Sequence, residues 1–221
     1  MNVKMNYQQS RNNMLAQQLR PYGVLEQKVL NIMSDLPRER FVPEKFRDCA
    51  YADSEIALTH QQIIMPPKEQ GYIAQALAIK PTDTILEIGS GSGYLTALLA
   101  KLGKNVNSIE IFADLSEQAG QCLRELHIDN VRLITDDANH CWNKDAPYDV
   151  ICITAGLPLY PECYKQGLAI GGRLFAIIGA SPTMQAVMFT RTTETTWSEK
   201  SLFETVVPIM LNTPMPAAFE L

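Results

Sequence analysis

Thr84-Ile-Leu-Glu-Ile-Gly-Ser-Gly-Ser-Gly-Tyr94 is the stretch from which the rest of the chain can be read. Thr84 to Ile88 is a β-branched and apolar run of strand length. Gly89, Gly91 and Gly93 then alternate with Ser90 and Ser92, and Leu95 to Leu102 follows as an apolar helical segment. Strand, glycine turn and helix in that order make the first crossover of a nucleotide-binding sheet. The glycines keep the turn tight and let backbone N–H groups approach a ligand with no Cβ in the way. A second strand, Val106 to Ile111, carries Glu110 near its end, about 20 residues beyond the turn, where an acid accepts hydrogen bonds from ribose hydroxyls in such sheets.

The spacing decides the ligand. A dinucleotide turn reads Gly-x-Gly-x-x-Gly, and the third glycine would stand where this chain has Tyr94. Glu87-x-Gly-x-Gly-x-Gly93 instead resembles the cofactor loop of class I methyltransferases that use S-adenosyl-L-methionine (SAM). SAM has no phosphate; its sugar hydroxyls, adenine and charged methionine end need acids and backbone groups. The resemblance places cofactor contacts at Glu87, Gly89, Ser90, Gly91, Ser92, Gly93, Glu110 and Ile111. Two later strands, Val131 to Thr135 and Tyr148 to Thr154, would bring Asp137 and Thr154 to the same carboxyl edge, where ligands bind in open α/β sheets. Asp137 can accept from the adenine amino group, and small Ala138 leaves room for the ring. Asp136 reads as a turn residue.

Composition narrows the function class. The chain has 221 residues and a net charge of −5, so nothing in bulk draws it to nucleic acid. No apolar run approaches the roughly 18–20 residues that span a bilayer. Met1 to Arg20 is polar and amide-rich, without the apolar centre of a signal peptide, and a cytoplasmic location is expected. Five cysteines with no Cys-x-x-Cys pair, and three histidines (His60, His127, His140), predict neither structural zinc nor a disulfide framework, and no metal site. Cys152, inside a predicted strand, reads as a small buried apolar residue.

Helical spacing runs over Tyr7 to Leu19, Val24 to Leu36, Lys68 to Ala78, Ala113 to Leu126 and Pro161 to Leu168. Arg173 to Ile178 predicts a fifth strand, and Val187 to Thr193 and Leu202 to Leu211 antiparallel strands closing the sheet. By composition Pro37 to Phe46 is a solvated connector and Tyr51 to Pro67 mostly loop. The expected fold is α/β: a Rossmann-like, doubly wound, mostly parallel sheet with helices on both faces and an N-terminal helical extension. Residues 1–80 would supply helices and a substrate-side loop packed on a SAM-binding core of residues 81–221, in one compact unit.

Across nearly its whole length the chain resembles the protein-L-isoaspartate O-methyltransferases. The resemblance is carried by Leu36-Pro-Arg-Glu-Arg-Phe-Val-Pro-Glu44, Tyr51-Ala-Asp-Ser-Glu-Ile-Ala-Leu58, Ile85 to Tyr94, Ser108-Ile-Glu110, Ile153-Thr-Ala-Gly-Leu-Pro158 and Val207-Pro-Ile-Met210. It implies a SAM-dependent enzyme that methylates the α-carboxylate of isoaspartyl residues in damaged proteins or peptides. It also implies that the Arg-Phe-Val-Pro segment walls the active site, against its reading as a connector. One segment departs from the family. Where members carry a Gln-Thr-Ile-Ser-x-Pro type run whose hydroxyl helps hold the substrate carboxylate, this chain has His60-Gln-Gln-Ile-Ile-Met-Pro66, with Ile64 at the serine. Thr59, His60 or Gln61 are the residues that could replace that hydroxyl. Two alternatives follow from the departure: a methyltransferase for a more apolar small molecule, and a SAM-binding protein without catalysis. No partner or oligomeric state is legible.

Overall fold

The computed structural model describes residues 5–139 and 141–215. The chain begins with helices α1 (Tyr7–Met14) and α2 (Gln27–Asp35), a two-stranded hairpin of β1 (Ile56–Ala57) and β2 (Ile63–Ile64), and helix α3 (Pro67–Ala76). The central alternation follows: β3 (Thr84–Ile88), α4 (Tyr94–Leu102), β4 (Asn105–Glu110), α5 (Ala113–Glu125), β5 (Val131–Thr135) and β6 (Tyr148–Leu157). Then come α6 (Glu162–Gln166), β7 (Leu168–Ala180), β8 (Thr183–Arg191) and β9 (Trp197–Glu204).

The seven long strands form one sheet in the order β5-β4-β3-β6-β7-β8-β9, parallel as far as β7 and antiparallel beyond it. Successive side chains alternate between its faces. Ile85, Cys152 and Phe175 point into a core shared with α1 to α5, and Leu86, Ile151 and Leu174 into a second core with Trp142 and Tyr164. Burial on both faces is why the central strands read as unbroken apolar runs. Helices do lie on both faces, but unequally: among the described residues α6 alone faces the second core, and β7 to β9 run as hairpins.

Three sequence expectations are corrected. Arg38 in the supposed solvated connector is fully buried, bonded to Ala50 O, Gln70 Oε1 and Met65 O and lying over the Tyr94 ring. Burial lowers its pKa to about 10, so it remains a cation at neutral pH. The segment from Tyr51 to Pro67 is mostly loop, as expected, and carries the short β1–β2 hairpin. The last strand ends at Glu204, not Leu211, and the segment beyond it pairs with Gly156 instead of β8. Cys141 and Cys163 form a disulfide, with Cα atoms 6.1 Å apart; an odd cysteine count does not forbid one bridge between distant loops. Cys152 is buried as expected. Among the described residues, no helix is long and apolar enough to cross a membrane, and no group of three or more His, Cys, Asp or Glu is placed to hold a metal.

Candidate active site

At the carboxyl ends of β3, β4, β5 and β6 the surface opens into a crevice, the place where ligands bind in open α/β sheets. The glycine turn forms one wall. Gly89 and Gly91 lie on the crevice with φ of +92° and +51°, backbone that a side chain rarely adopts. A Cβ on Gly89 would come within 2.9 Å of Thr154 Oγ1, whereas one on Gly91 would meet only Leu58, at 3.7 Å. Thr154 also lines the crevice, and its hydroxyl lies 3.2 and 3.1 Å from the carbonyls of Ile88 and Gly89, joining the end of β6 to the turn.

Glu110 and Ile111 form the next wall. One Glu110 carboxylate oxygen accepts from Gly91 N–H at 2.9 Å and the other from Phe112 N–H at 3.1 Å. Two backbone donors thus fix the carboxylate, and each oxygen keeps a lone pair free to accept another hydrogen bond. Asp136, Asp137 and Ala138 follow from the end of β5. Asp137 accepts from Asn139 N–H at 2.9 Å and from Asn212 Nδ2 at 2.8 Å, which ties this wall to the C-terminal segment.

That segment, Val207 to Leu211, roofs the crevice. Gly156 N–H donates to Pro208 O at 2.9 Å and Met210 N–H to Gly156 O at 2.8 Å. Its contribution was missed in sequence, although Pro208 inside a supposed strand was the available signal. Asp136, read as a turn residue, is on the lining as well.

The other loop residues sit behind the turn. Glu87 is fully buried, and its Oε2 accepts from Thr96 Oγ1 at 2.6 Å and Ser108 Oγ at 2.5 Å. Since the Ser108 proton goes to the carboxylate, Ser90, 2.6 Å away, donates to Ser108. A polar relay from Glu87 through Ser108 to Ser90 therefore braces the turn from beneath. Burial pushes the Glu87 pKa up to about 7 against the two hydroxyl donors, with Glu110 adding to the rise. Gly93 caps α4 at φ +84°, and a Cβ there would lie 2.8 Å from the Ala119 methyl, so this glycine serves helix packing. Ser92 is off the lining too, near the start of α4.

On the acceptor side the placement differs from expectation. Ile64 is 3% exposed and packs in the main core, away from the crevice; a β-strand turns alternate side chains to opposite sides, so a one-residue choice decides the outcome. Thr59, His60 and Gln61 do not line the crevice either. Thr59 and His60 reach outward to Asp114 at 3.2 and 2.9 Å, and the His60 ring stacks on Phe112. From this loop the crevice receives Gln62, Ile63 and Met65. No spacing in the sequence singled out Gln62. Nor does the Arg38 to Val42 segment line the crevice; Arg38 stands one layer behind, holding the Met65 carbonyl.

Comparisons with known proteins show the family. The family model for protein-L-isoaspartate(D-aspartate) O-methyltransferase matches residues 9–212. A Rhodopseudomonas palustris protein-L-isoaspartate O-methyltransferase 1 is 41% identical over 183 residues, covering 82% of this chain and 75% of the relative. The Gloeobacter violaceus protein-L-isoaspartate O-methyltransferase is 36% identical over 202 residues, 91% of this chain and 98% of its own. In fold the chain is similar to the Plasmodium falciparum structure of a protein-L-isoaspartate O-methyltransferase in complex with S-adenosyl-L-homocysteine. The TM-score there is 0.79 at 22% identity, over 94% of this chain and 99% of the other. With a match from end to end of its folded core, the chain belongs to the protein-L-isoaspartate(D-aspartate) O-methyltransferase family.

Proposed function

We propose that this chain is a SAM-dependent O-methyltransferase that acts on the α-carboxylate of L-isoaspartyl residues in proteins or peptides. The observation that carries the reading is the crevice in which Gly91 N–H and Phe112 N–H fix the Glu110 carboxylate beside a Cβ-free turn. The residues present fit the cofactor. Glu110 is held as an acceptor for sugar hydroxyls, Gly89 and Gly91 leave the methionine end room against the backbone, and Asp137 with Ala138 offers an acceptor and space for adenine.

Bound there, SAM supplies an electrophilic methyl on a sulfonium. The acceptor carboxylate is already ionised near pH 7, so the chain need provide no general base. Its work is to align two groups and keep water out. The apolar roof of Val207, Ile209, Met210 and Leu211 suits the second task, as do Ile63 and Met65. The same apolar surface favours a second reading, a more apolar small-molecule acceptor.

Methyl-labelled SAM offered with an isoaspartyl peptide and its aspartyl twin decides between them. Base-labile label in the isoaspartyl peptide alone is expected. SAM binding without label in either peptide would overturn the assignment in favour of another acceptor or a non-catalytic role.

A further inference from the structure

A carboxylate that must sit close to a methyl donor needs a hydrogen-bond donor, because an anion desolvated without one is costly. Among the described residues lining the crevice, the polar side chains are Gln62, Glu110, Asp136, Asp137 and Thr154. Three are acids and repel an anion. Thr154 has one hydroxyl proton, turned toward the carbonyls of Ile88 and Gly89. Gln62 is the remaining one, and the lining's only side-chain N–H donor. Its Nε2 spends one hydrogen on His60 O at 3.0 Å and keeps the second free.

The loop that presents this amide is unusually well fixed. Leu58 N–H donates to Gln62 O at 2.8 Å and Gln62 N–H to Thr59 O at 3.0 Å, closing a tight turn. Within it His60 and Gln61 both take left-handed backbone, φ +55° and +57°, which a non-glycine residue holds only when its surroundings impose it. The imposing contacts are visible: the His60 ring lies parallel to Phe112, centroids 4.0 Å apart, and Asp114 bonds both Thr59 and His60. Phe112 and Asp114 directly follow the Glu110 wall, so the acceptor loop is clipped to the cofactor side of the crevice.

We propose that Gln62 is the acceptor-binding side chain of this protein, its carboxamide N–H donating to the carboxylate that receives the methyl, with the Thr59–His60 clip on Phe112 and Asp114 positioning it. The inference rests on the carboxylate acceptor proposed above and assigns it a partner. The acceptor loses its charge as it becomes an ester, with no proton transferred, so this hydrogen bond is strongest before reaction. Removing it therefore raises KM more than it lowers kcat.

The test compares wild type, Gln62→Ala and the isosteric Gln62→Glu in two measurements. One is calorimetric binding of an isoaspartyl peptide to protein saturated with S-adenosyl-L-homocysteine; the other is steady-state methylation. The Ala variant is expected to weaken peptide binding and raise KM roughly ten- to hundredfold, the range for a hydrogen bond to a charged group. The Glu variant should lose more, and both should bind S-adenosyl-L-homocysteine within twofold of wild type. Should the Ala variant not fold, the Glu variant, equal in size, carries the comparison. If wild type binds and methylates the peptide and both variants match it within threefold, Gln62 is idle and the inference falls while the proposed function stands. A tenfold loss of S-adenosyl-L-homocysteine binding in both variants would instead place Gln62 on the cofactor and overturn it. A wild type that binds S-adenosyl-L-homocysteine but not the peptide removes the acceptor reading, and this inference with it.

Discussion

The two sides of the crevice are built on different principles. On the cofactor side the working parts are main chain: a turn whose glycines take positive φ, and a strand-end carboxylate gripped by two amide N–H groups. On the acceptor side they are side chains, presented by a hairpin with two residues in each strand and strained non-glycine backbone at its tip. Backbone devices constrain residue type strongly, because only glycine accepts the geometry without strain. Side-chain presentation constrains it weakly, since shifting a two-residue strand by one position exchanges the faces.

The largest break in the comparison is Gly91→Val. Positive φ is strained for a β-branched residue, and the new side chain would point toward Leu58 across ligand space, not into the core. More than a thousandfold loss of SAM affinity by calorimetry is expected, with a loss of only about 1–2 kcal/mol in unfolding free energy from the local backbone. Retained affinity would mean that the turn does not face the ligand.

Ile64→Ser probes the other side. Placing the family's hydroxyl here would restore acceptor binding if residue 64 faced the crevice. Because Ile64 is packed in the core, the substitution should instead lose about 3–4 kcal/mol in urea unfolding, from lost burial and an unpaired hydroxyl, with no gain in peptide methylation. Increased methylation at undiminished stability would reverse the placement of the hairpin.

A smaller effect sharpens the cofactor side from beneath. Burial raises the Glu87 pKa to about 7, above its ordinary carboxylate value, so between the two values the folded state holds a proton that the unfolded state has released. Stability from the neutral group is complete at low pH and falls as pH rises through about 7. Glu87→Gln removes the titration. Wild type should lose about 2 kcal/mol more than the variant between pH 5 and pH 8 in denaturant melts. Parallel pH profiles would show that Glu87 is not the titrating group.

What could be read from the sequence follows the same division. Strands β3 and β5 fall where the apolar runs end, and the turn, its helix and Glu110 follow from spacing alone. Fully covered central strands leave no ambiguity about face, since both faces are apolar. Glu87, Ser90 and Gly93 brace and pack the turn, and a motif does not distinguish the exposed side of a loop from its underside. The buried Arg38 was hidden because charge reads as surface unless its partners are known, and those partners are carbonyls distant in sequence. The roof was obscured because Leu202 to Leu211 serves two ends: as far as Glu204 it pairs with β8, and from Val207 it crosses the crevice.

The central claim is that this crevice holds the nucleoside, and a crystal structure of the protein with S-adenosyl-L-homocysteine tests it most directly. The account predicts the sugar hydroxyls on Glu110, the methionine end along Gly89 to Gly91 and the adenine beside Asp137 and Ala138, beneath Val207 to Leu211. Ligand bound elsewhere, or bound here with Glu110 making no contact to the sugar, would contradict it.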